Sequence, residues 1–298
     1  MLKKIGLSAF TLSLATLGMT PLAQASGDWK IQADAQGMYA QYSGSSTRKN
    51  ISSEGILLRA DYLDSGGFTL GTTATQLQFK ATTLTQQGVY ASANKHLYLD
   101  ALPGVLTLRM DGHYISNNDV TGSTNRVKVY APQLSFLNYR KSFYADLGYA
   151  YSSYPKGLSV SQLTPTVGLG FNQAADWLQM RVYWVKPSNA AQAQNTSSTT
   201  ALESKWTHWF GPSSSAWMPQ KMDVGALFGQ RIYAVDGDAA AVYNIADVQQ
   251  GSISLASQWR ISESAHLMLA AGNERYRNKF ISETYDSRYI YLDVKGAW

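Results

Sequence analysis

The chain lacks cysteine altogether, so no disulfide can staple it, and its stability has to come from backbone pairing and packing. It also lacks long apolar runs. Past the first 25 residues, no window approaches about 18 consecutive apolar positions, which excludes transmembrane helices. Charge is scarce as well. Asp, Glu, Lys and Arg make up 15% of the 298 residues, and the formal net charge of +5 falls to about +3 once Lys3 and Lys4 are set aside. A positive charge that weak and dispersed excludes nucleic acid as a partner. Pro-rich linkers, charge blocks, heptads and breaks in composition are missing too, which predicts one domain.

The first 25 residues stand apart from the rest. Lys3 and Lys4 precede a mostly apolar run from Ile5 to Met19, followed by Ala23-Gln24-Ala25. A basic start, an apolar stretch and an A-x-A site predict a cleavable secretory signal over 1–25, cut after Ala25, with 26–298 as the mature domain. The apolar run is shorter than the ~20 residues a membrane anchor needs, and the site carries no lipoprotein cysteine. In the mature part, 19 Tyr, eight Trp and 22 Gly accompany the low charge. That mixture suits a membrane β-barrel with aromatic girdles and a polar lumen, the one spanning structure left when helices are excluded.

Alternating apolar and polar residues recur in segments of roughly 10 to 14 residues separated by Gly, Ser, Asn, Asp or Pro, which is the strand signal. About fourteen segments emerge, with 12 or 16 as alternatives if one is missed or split. They begin near Trp29 and end at Trp298, and one of them is expected to run from Lys221 to Ala234. Connections alternate in character. Joins such as 187–198 and 236–247 are long and polar, whereas Asp64-Ser65-Gly66-Gly67 and Ser262-Glu263-Ser264 are tight. The alternation predicts an all-β transmembrane antiparallel barrel with both termini in the periplasm. Its tryptophans, Trp29, Trp177, Trp184, Trp206, Trp209, Trp259 and Trp298, read as interface anchors.

In the last segment Ile290, Leu292, Val294, Gly296 and Trp298 share one face, while Tyr289, Tyr291, Asp293 and Lys295 share the other. This ending resembles the final strand of Gram-negative outer-membrane β-barrel proteins, porin-like proteins included, although Gly296 departs from the aromatic often found there. The resemblance implies an outer-membrane location with lipid and lipopolysaccharide around the barrel. It also implies that Ile290, Leu292, Val294 and Trp298 form the signal read by the barrel-assembly machinery. It identifies no particular family.

The other face of the strands is expected to line the lumen. There the sequence places Arg59, Asp61, Arg109, Asp111, His113, Arg181, Arg231, Arg260, Asp293 and Lys295. Both signs are interspersed, so one reading is a wall stitched by ion pairs, and the other is a polar pathway whose charges bias passing solutes. About 14 strands leave room for a lumen unless loops fold in. No segment looks large enough for a plug, although the 187–198 or 236–247 loop would serve as a small occlusion. The function expected first is passive passage of small polar solutes or glycans, with arginines favouring anionic or sugar-like ones. A non-conducting barrel that anchors a periplasmic or surface partner is the alternative. A barrel hydrolase built on His113 and Asp111 ranks last, because the four histidines form no metal spacing and no G-x-S-x-G or H-E-x-x-H occurs. Neither a catalytic set nor a cofactor nor a metal is therefore expected.

Overall fold

A computed structural model describes residues 27–211 and 217–298. The leader expected over 1–25 and part of the 211–220 connection lie outside the described residues. Eleven strands come first: β1 (Trp29–Ser43), β2 (Arg48–Tyr62), β3 (Gly66–Phe79), β4 (Thr83–Leu99), β5 (Gly104–Asn117), β6 (Val127–Asn138), β7 (Phe143–Ser153), β8 (Ser159–Phe171), β9 (Asp176–Pro187), β10 (Thr199–Trp209) and β11 (Lys221–Arg231). A two-stranded ribbon, β12 (Val235–Asp236) and β13 (Ala241–Val242), precedes β14 (Val248–Arg260), β15 (Ala265–Asn278) and β16 (Glu283–Ala297). All but the ribbon form one closed antiparallel barrel of 14 strands. β1 and β16 close it, in register from Gln32 opposite Ala297 to Ser43 opposite Asp286. Trp298 continues the seam by exchanging backbone hydrogen bonds of 3.1 and 2.8 Å with Ile31. Closure removes the sheet edge and with it every unpaired row of backbone groups.

The period-2 pattern decides which side chains face out. Ile56, Leu58, Leu70, Leu108, Leu134, Leu147, Val167, Leu255 and Leu269 stand exposed on the outer wall, and Ile253 and Ile290 are 65% and 63% exposed. Along β16, Val294 is exposed on the same face as Ile290, with Leu292 half-buried between them. Aromatic rings border this apolar belt. At the end that carries the termini, Trp29 packs on Tyr62 and Phe68 with ring centroids 5.1 and 6.1 Å apart, and Tyr39, Tyr114, Tyr130, Tyr149 and Trp184 are exposed towards the other end. Trp177 corrects the sequence reading. It shares the inner face with Gln179 and Arg181, where Gly168 and Gly170 leave a groove for the indole, and a Cβ on Gly168 would lie 2.3 Å from its Cζ2.

Several strands run further than their alternation suggested. The alternation in the sequence is clear only from Ser53 to Tyr62 and from Ser287 to Trp298, yet β2 starts at Arg48 and β16 at Glu283. Apart from Ile51 and Tyr285 the added residues are polar, and they rise past the apolar belt, so they carry no clear period-2 signal. β11 is the opposite case, ending at Arg231 instead of Ala234. Its pairing with β14 shifts between Phe228 and Arg231, and β14 shifts against β15 between Gln249 and Gly251. Gly229 (φ +98°) and Gly251 (φ +153°) sit in these bulges, and a Cβ on Gly229 would come within 2.5 Å of the Thr200 carbonyl oxygen. Adjacent bulges bend both strands, and the chain between them, 232–247, turns into the barrel.

Gly229→Ala forces a side chain into a positive φ and against a neighbouring strand, a strain on the order of 1–3 kcal/mol. The expected outcome is a barrel that still forms but loses its heat-modifiable electrophoretic mobility at a lower temperature than the unsubstituted protein.

Candidate functional site

The inner wall near the loops is closed. Every barrel strand except β15 contributes a buried inner-face residue there, among them Ala40, Arg48, Leu77, Ile115, Val127, Tyr183, Leu227 and Tyr285. What covers them is the segment 232–247, helped by the 188–198 loop. One side of the seal is a dry cluster in which Ile115, Val127, Val129, Val160, Val185 and Leu227 of the wall pack on Ile232, Tyr233, Val235 and Ala193 of the loops. Burial there pushes the Tyr233 phenol up to about 12.

The other ties are polar and come from strands on several sides of the barrel. Gln162 on β8 pairs with Val235 as a strand would: its Nε2 donates to the Val235 carbonyl (2.7 Å) and its Oε1 accepts the Val235 N–H (2.9 Å). Arg109 on β5 donates to the Gly237 carbonyl at 2.6 Å. Arg181 on β9 meets Asp238 at 2.6 Å and Asp236 at 3.6 Å. Asn244 donates to Gln86 (3.0 Å) and to the Thr124 carbonyl (2.9 Å). Asp247 binds Arg48, Tyr285 and Gln194 on the far side. Burial pushes the Asp238 carboxyl up, but Arg181, Lys205 and Arg109 together outweigh it and hold Asp238 below its ordinary value. A depressed folded-state value means that this tie is present at neutral pH and is lost only as the pH falls below the ordinary carboxylate range.

The residues singled out from the sequence fall into separate groups. Arg109, Asp111 and Arg181 meet the inward segment. Asp111 accepts from Arg109 Nε at 2.8 Å and from the Tyr90 hydroxyl at 3.2 Å. His113 lies against the Tyr90 ring with centroids 4.8 Å apart, and no hydrogen bond joins it to Asp111 among the described residues. Arg231 is held between the rings of Tyr183 and Tyr243, 5.0 and 4.3 Å from their centroids. It belongs to the packed seal, not to open lumen. Arg59 and Asp61 bond to each other at 2.7 Å. Glu203 accepts from Tyr183 at 2.9 Å and lies 3.9 Å from Arg181.

Towards the termini the lumen stays polar. Arg260 lies in register with His266, His266 with Lys295 and Lys295 with Asp34, which it approaches to 3.7 Å. Asp293 is buried beside the Tyr291 hydroxyl, 3.4 Å away. A cavity of about 390 Å³ opens here, lined by Lys30, Gln32, Gln258, Glu263, Ser264, His266, Lys295, Ala297 and Trp298.

Sequence reasoning gave no individual role to Gln162, Gln194, Asp236, Asp238 or Asp247; it expected no plug, with the 187–198 or 236–247 loop as a small occlusion, and the structure turns both loops inward. The signal was composition. Ile232-Tyr233-Ala234-Val235 and Ala239-Ala240-Ala241-Val242 are far too apolar for a solvated loop.

No family model matches the chain, and no curated protein sequence does. Solved structures do match. A deletion mutant of the monoaromatic hydrocarbon channel TodX aligns at a TM-score of 0.59 with 8% identity over 90% of each chain. The toluene transporter TodX of Pseudomonas putida aligns at 0.53 with 9% identity, covering 96% of this chain and 93% of that one. A bacterial polysaccharide outer-membrane secretin aligns at 0.50 with 8% identity, covering 89% and 98%. The fold is that of the outer-membrane β-barrels. At these identities the likeness is one of architecture, and it leaves the seal and the cavity to be read from this chain's own residues.

Removing Arg181 leaves Asp236 and Asp238 without their guanidinium, a change that costs on the order of 2–4 kcal/mol where such groups are poorly solvated. Arg181→Ala is expected to keep the barrel folded while making 232–247 cleavable by protease added to the refolded protein. An equally resistant loop would show that the ion pairs do not hold it.

Proposed function

We propose that this protein is an outer-membrane channel for small polar solutes or glycans, closed at its loop end by the inward segment 232–247 and open as a polar vestibule at the terminal end. The observation that carries the reading is the contrast along one lumen. Its terminal half is lined by charged and amide side chains, whereas the seal is a single loop system held by hydrogen bonds and ion pairs that displacement of the segment breaks. A polar wall is costly in a barrel that excludes water and is used where water and solutes enter. The TodX structures, described as a hydrocarbon channel and a toluene transporter, support the idea that a barrel of this architecture carries a passage.

On this reading residues 1–25 direct export, Ile290, Leu292, Val294 and Trp298 present the assembly signal, and the tight turns and both termini face the periplasm. Passage is passive, with no catalytic step. The completeness of the seal favours a second reading, a non-conducting barrel that anchors a partner. The engagement of Asp111 by Arg109 and Tyr90 leaves the hydrolase reading without support.

Arg231 pairs with Gln249, so the ends of the inward segment are adjacent and a short Gly/Ser turn can replace 233–246. In planar bilayers the replaced variant is expected to conduct at least several-fold more than the full chain, and liposomes containing it should swell in small sugars faster than in large ones. A folded, heat-modifiable variant that stays silent would sink the channel reading in favour of the anchor.

A further inference from the structure

We infer that the outer wall of β15 and β16, just beyond the apolar belt at the loop end, is a docking surface for a phosphorylated glycolipid of the surrounding membrane, whose phosphoryl groups sit on Arg275, Arg277 and Arg288. The inference goes beyond the channel reading and does not depend on the lumen. It takes from that reading only the direction of the loops, which places this surface in the outer leaflet, where the glycolipid is lipopolysaccharide.

Three observations meet on this surface. The first is where the arginines stand. Ile290, 63% exposed, is the upper end of the belt on β16, and Arg288 is the next outward position above it, roughly 6.6 Å along the strand. Register sets Arg288 beside Asn273 and Gln41, Arg275 beside Asp286, and Arg277 beside Thr284. All three arginines are exposed. Tyr39, Tyr114, Tyr130, Tyr149 and Trp184 border the belt at this end on other strands, so β15 and β16 present guanidinium groups where those strands present rings. The second observation is charge. Among the described residues Arg275 donates to Asp286 from Nε at 3.2 Å, its terminal nitrogens have no partner, and Arg277 and Arg288 enter no ion pair. Glu283 is turned to the β1–β2 connection, where the Ser45 hydroxyl and the Ser46 N–H donate to it. Glu274 lies on the inner face with Gln249 and Tyr276, and Glu54 is two strands away on β2. Three arginines therefore face one carboxylate on this part of the outer wall. A guanidinium fork matches a phosphoryl group through two parallel hydrogen bonds.

The third observation is what surrounds the arginines. Gln41, Ser43, Asn273 and Thr284 share their outer face, and such amides and hydroxyls both donate to and accept from sugar hydroxyls. Directly below, Leu269 and Ile290 stand exposed as an apolar wall for acyl chains. Arg275 and Arg288 are diagonal neighbours across the β15–β16 pair, about 7–8 Å apart, and Arg277 lies roughly 6.6 Å further along β15. That spread is wider than one phosphoryl group fills. Two phosphoryl groups on a sugar headgroup, with acyl chains beneath, describe the lipid A part of lipopolysaccharide. A glycerophospholipid brings one phosphoryl group and leaves part of the arginine row unused, and free phosphate leaves the apolar wall unused.

The test is native mass spectrometry of the refolded full chain in detergent, titrated with bisphosphorylated lipid A, with its dephosphorylated form and with phosphatidylglycerol. Bisphosphorylated lipid A is expected to bind at least about tenfold more tightly than either of the others. The double variant Arg277→Gln/Arg288→Gln should lose most of that preference. Lys128→Gln/Lys186→Gln, which removes as many positive charges from the outer faces of β6 and β9, should keep it. Should the arginine variant fail to give the heat-modifiable form, Arg277→Gln alone carries the same expectation with a smaller loss. Equal binding of the three lipids, no binding of any, an affinity unchanged by the arginine substitutions, or an equal loss in the lysine control would overturn the proposal. Binding in detergent is blind to the direction of insertion, so orientation is read separately. Phe280→Cys, in the β15–β16 turn of a chain with no other cysteine, is expected to react on whole cells with a membrane-impermeant maleimide. Labelling without the lipid A preference removes the docking surface and keeps the orientation. Preference without labelling turns the surface to the inner leaflet and takes lipopolysaccharide away as its occupant.

Discussion

A segment that turns into a barrel must find partners for its backbone there, because a buried N–H or C=O without one costs about 1–3 kcal/mol. The strands of the wall have none to spare, since each is already paired on both sides. The segment 232–247 therefore depends on side chains. Gln162 answers both backbone groups of Val235, Arg109 answers Gly237, and the β12–β13 ribbon pairs Val235 with Val242 and Asp236 with Ala241. Everything else about the lumen follows from that arrangement. The loop is fixed, the apolar residues above it become a dry core, and the passage is divided into a sealed half and a wet half.

The same arrangement explains why charged residues lie where they do. Arg109 and Arg181 face the only part of the loop that carries two carboxylates close together, Asp236 and Asp238. Each guanidinium offers several donors in a planar fork, which lets Arg109 serve Asp111, Tyr90 and Gly237 at once. Asp247 plays the corresponding part at the far edge, gathering Arg48, Tyr285 and Gln194. Polar ties of this sort specify one docked position more sharply than apolar packing alone, and each can be exchanged for water when the loop leaves. The charges near the termini have no loop to bind, and several of them pair across or along the wall instead, Arg59 with Asp61 and Lys295 with Asp34.

The barrel itself was legible in the sequence wherever one face met the apolar belt and the other did not. Leu106, Leu108 and Met110 against Arg109 and Asp111, or Ile290, Leu292 and Val294 against Tyr291 and Asp293, carry the register outright, because a slip by one residue would reverse both faces. Two kinds of region broke the rule. Arg48 to Ser52 and Glu283 to Asp286 extend strands beyond the belt, where polar residues fall on both faces and only Ile51 and Tyr285 interrupt them. Near the loops the inner face of β6 carries Val127, Val129 and Ala131, buried under the seal, and alternation says nothing about an inner face that is itself apolar. The inward segment was legible in part, through the length of the 236–247 join and the apolar composition on either side of Gly237, but the groups that hold it come from β2, β5, β8, β9 and β16, far apart in sequence. Pairwise geometry of that range leaves no local pattern.

The account turns on whether 232–247 is docked inside the barrel, and amide hydrogen exchange on the full chain in a bilayer tests this most directly. The predicted result is protection at Val235 and Tyr243, whose N–H groups donate to Gln162 and to the Ala234 carbonyl, persisting on the timescale of the barrel strands rather than that of the exposed 279–282 turn. Exchange across the whole segment as fast as in that turn would contradict it, and would mean that the lumen stands open.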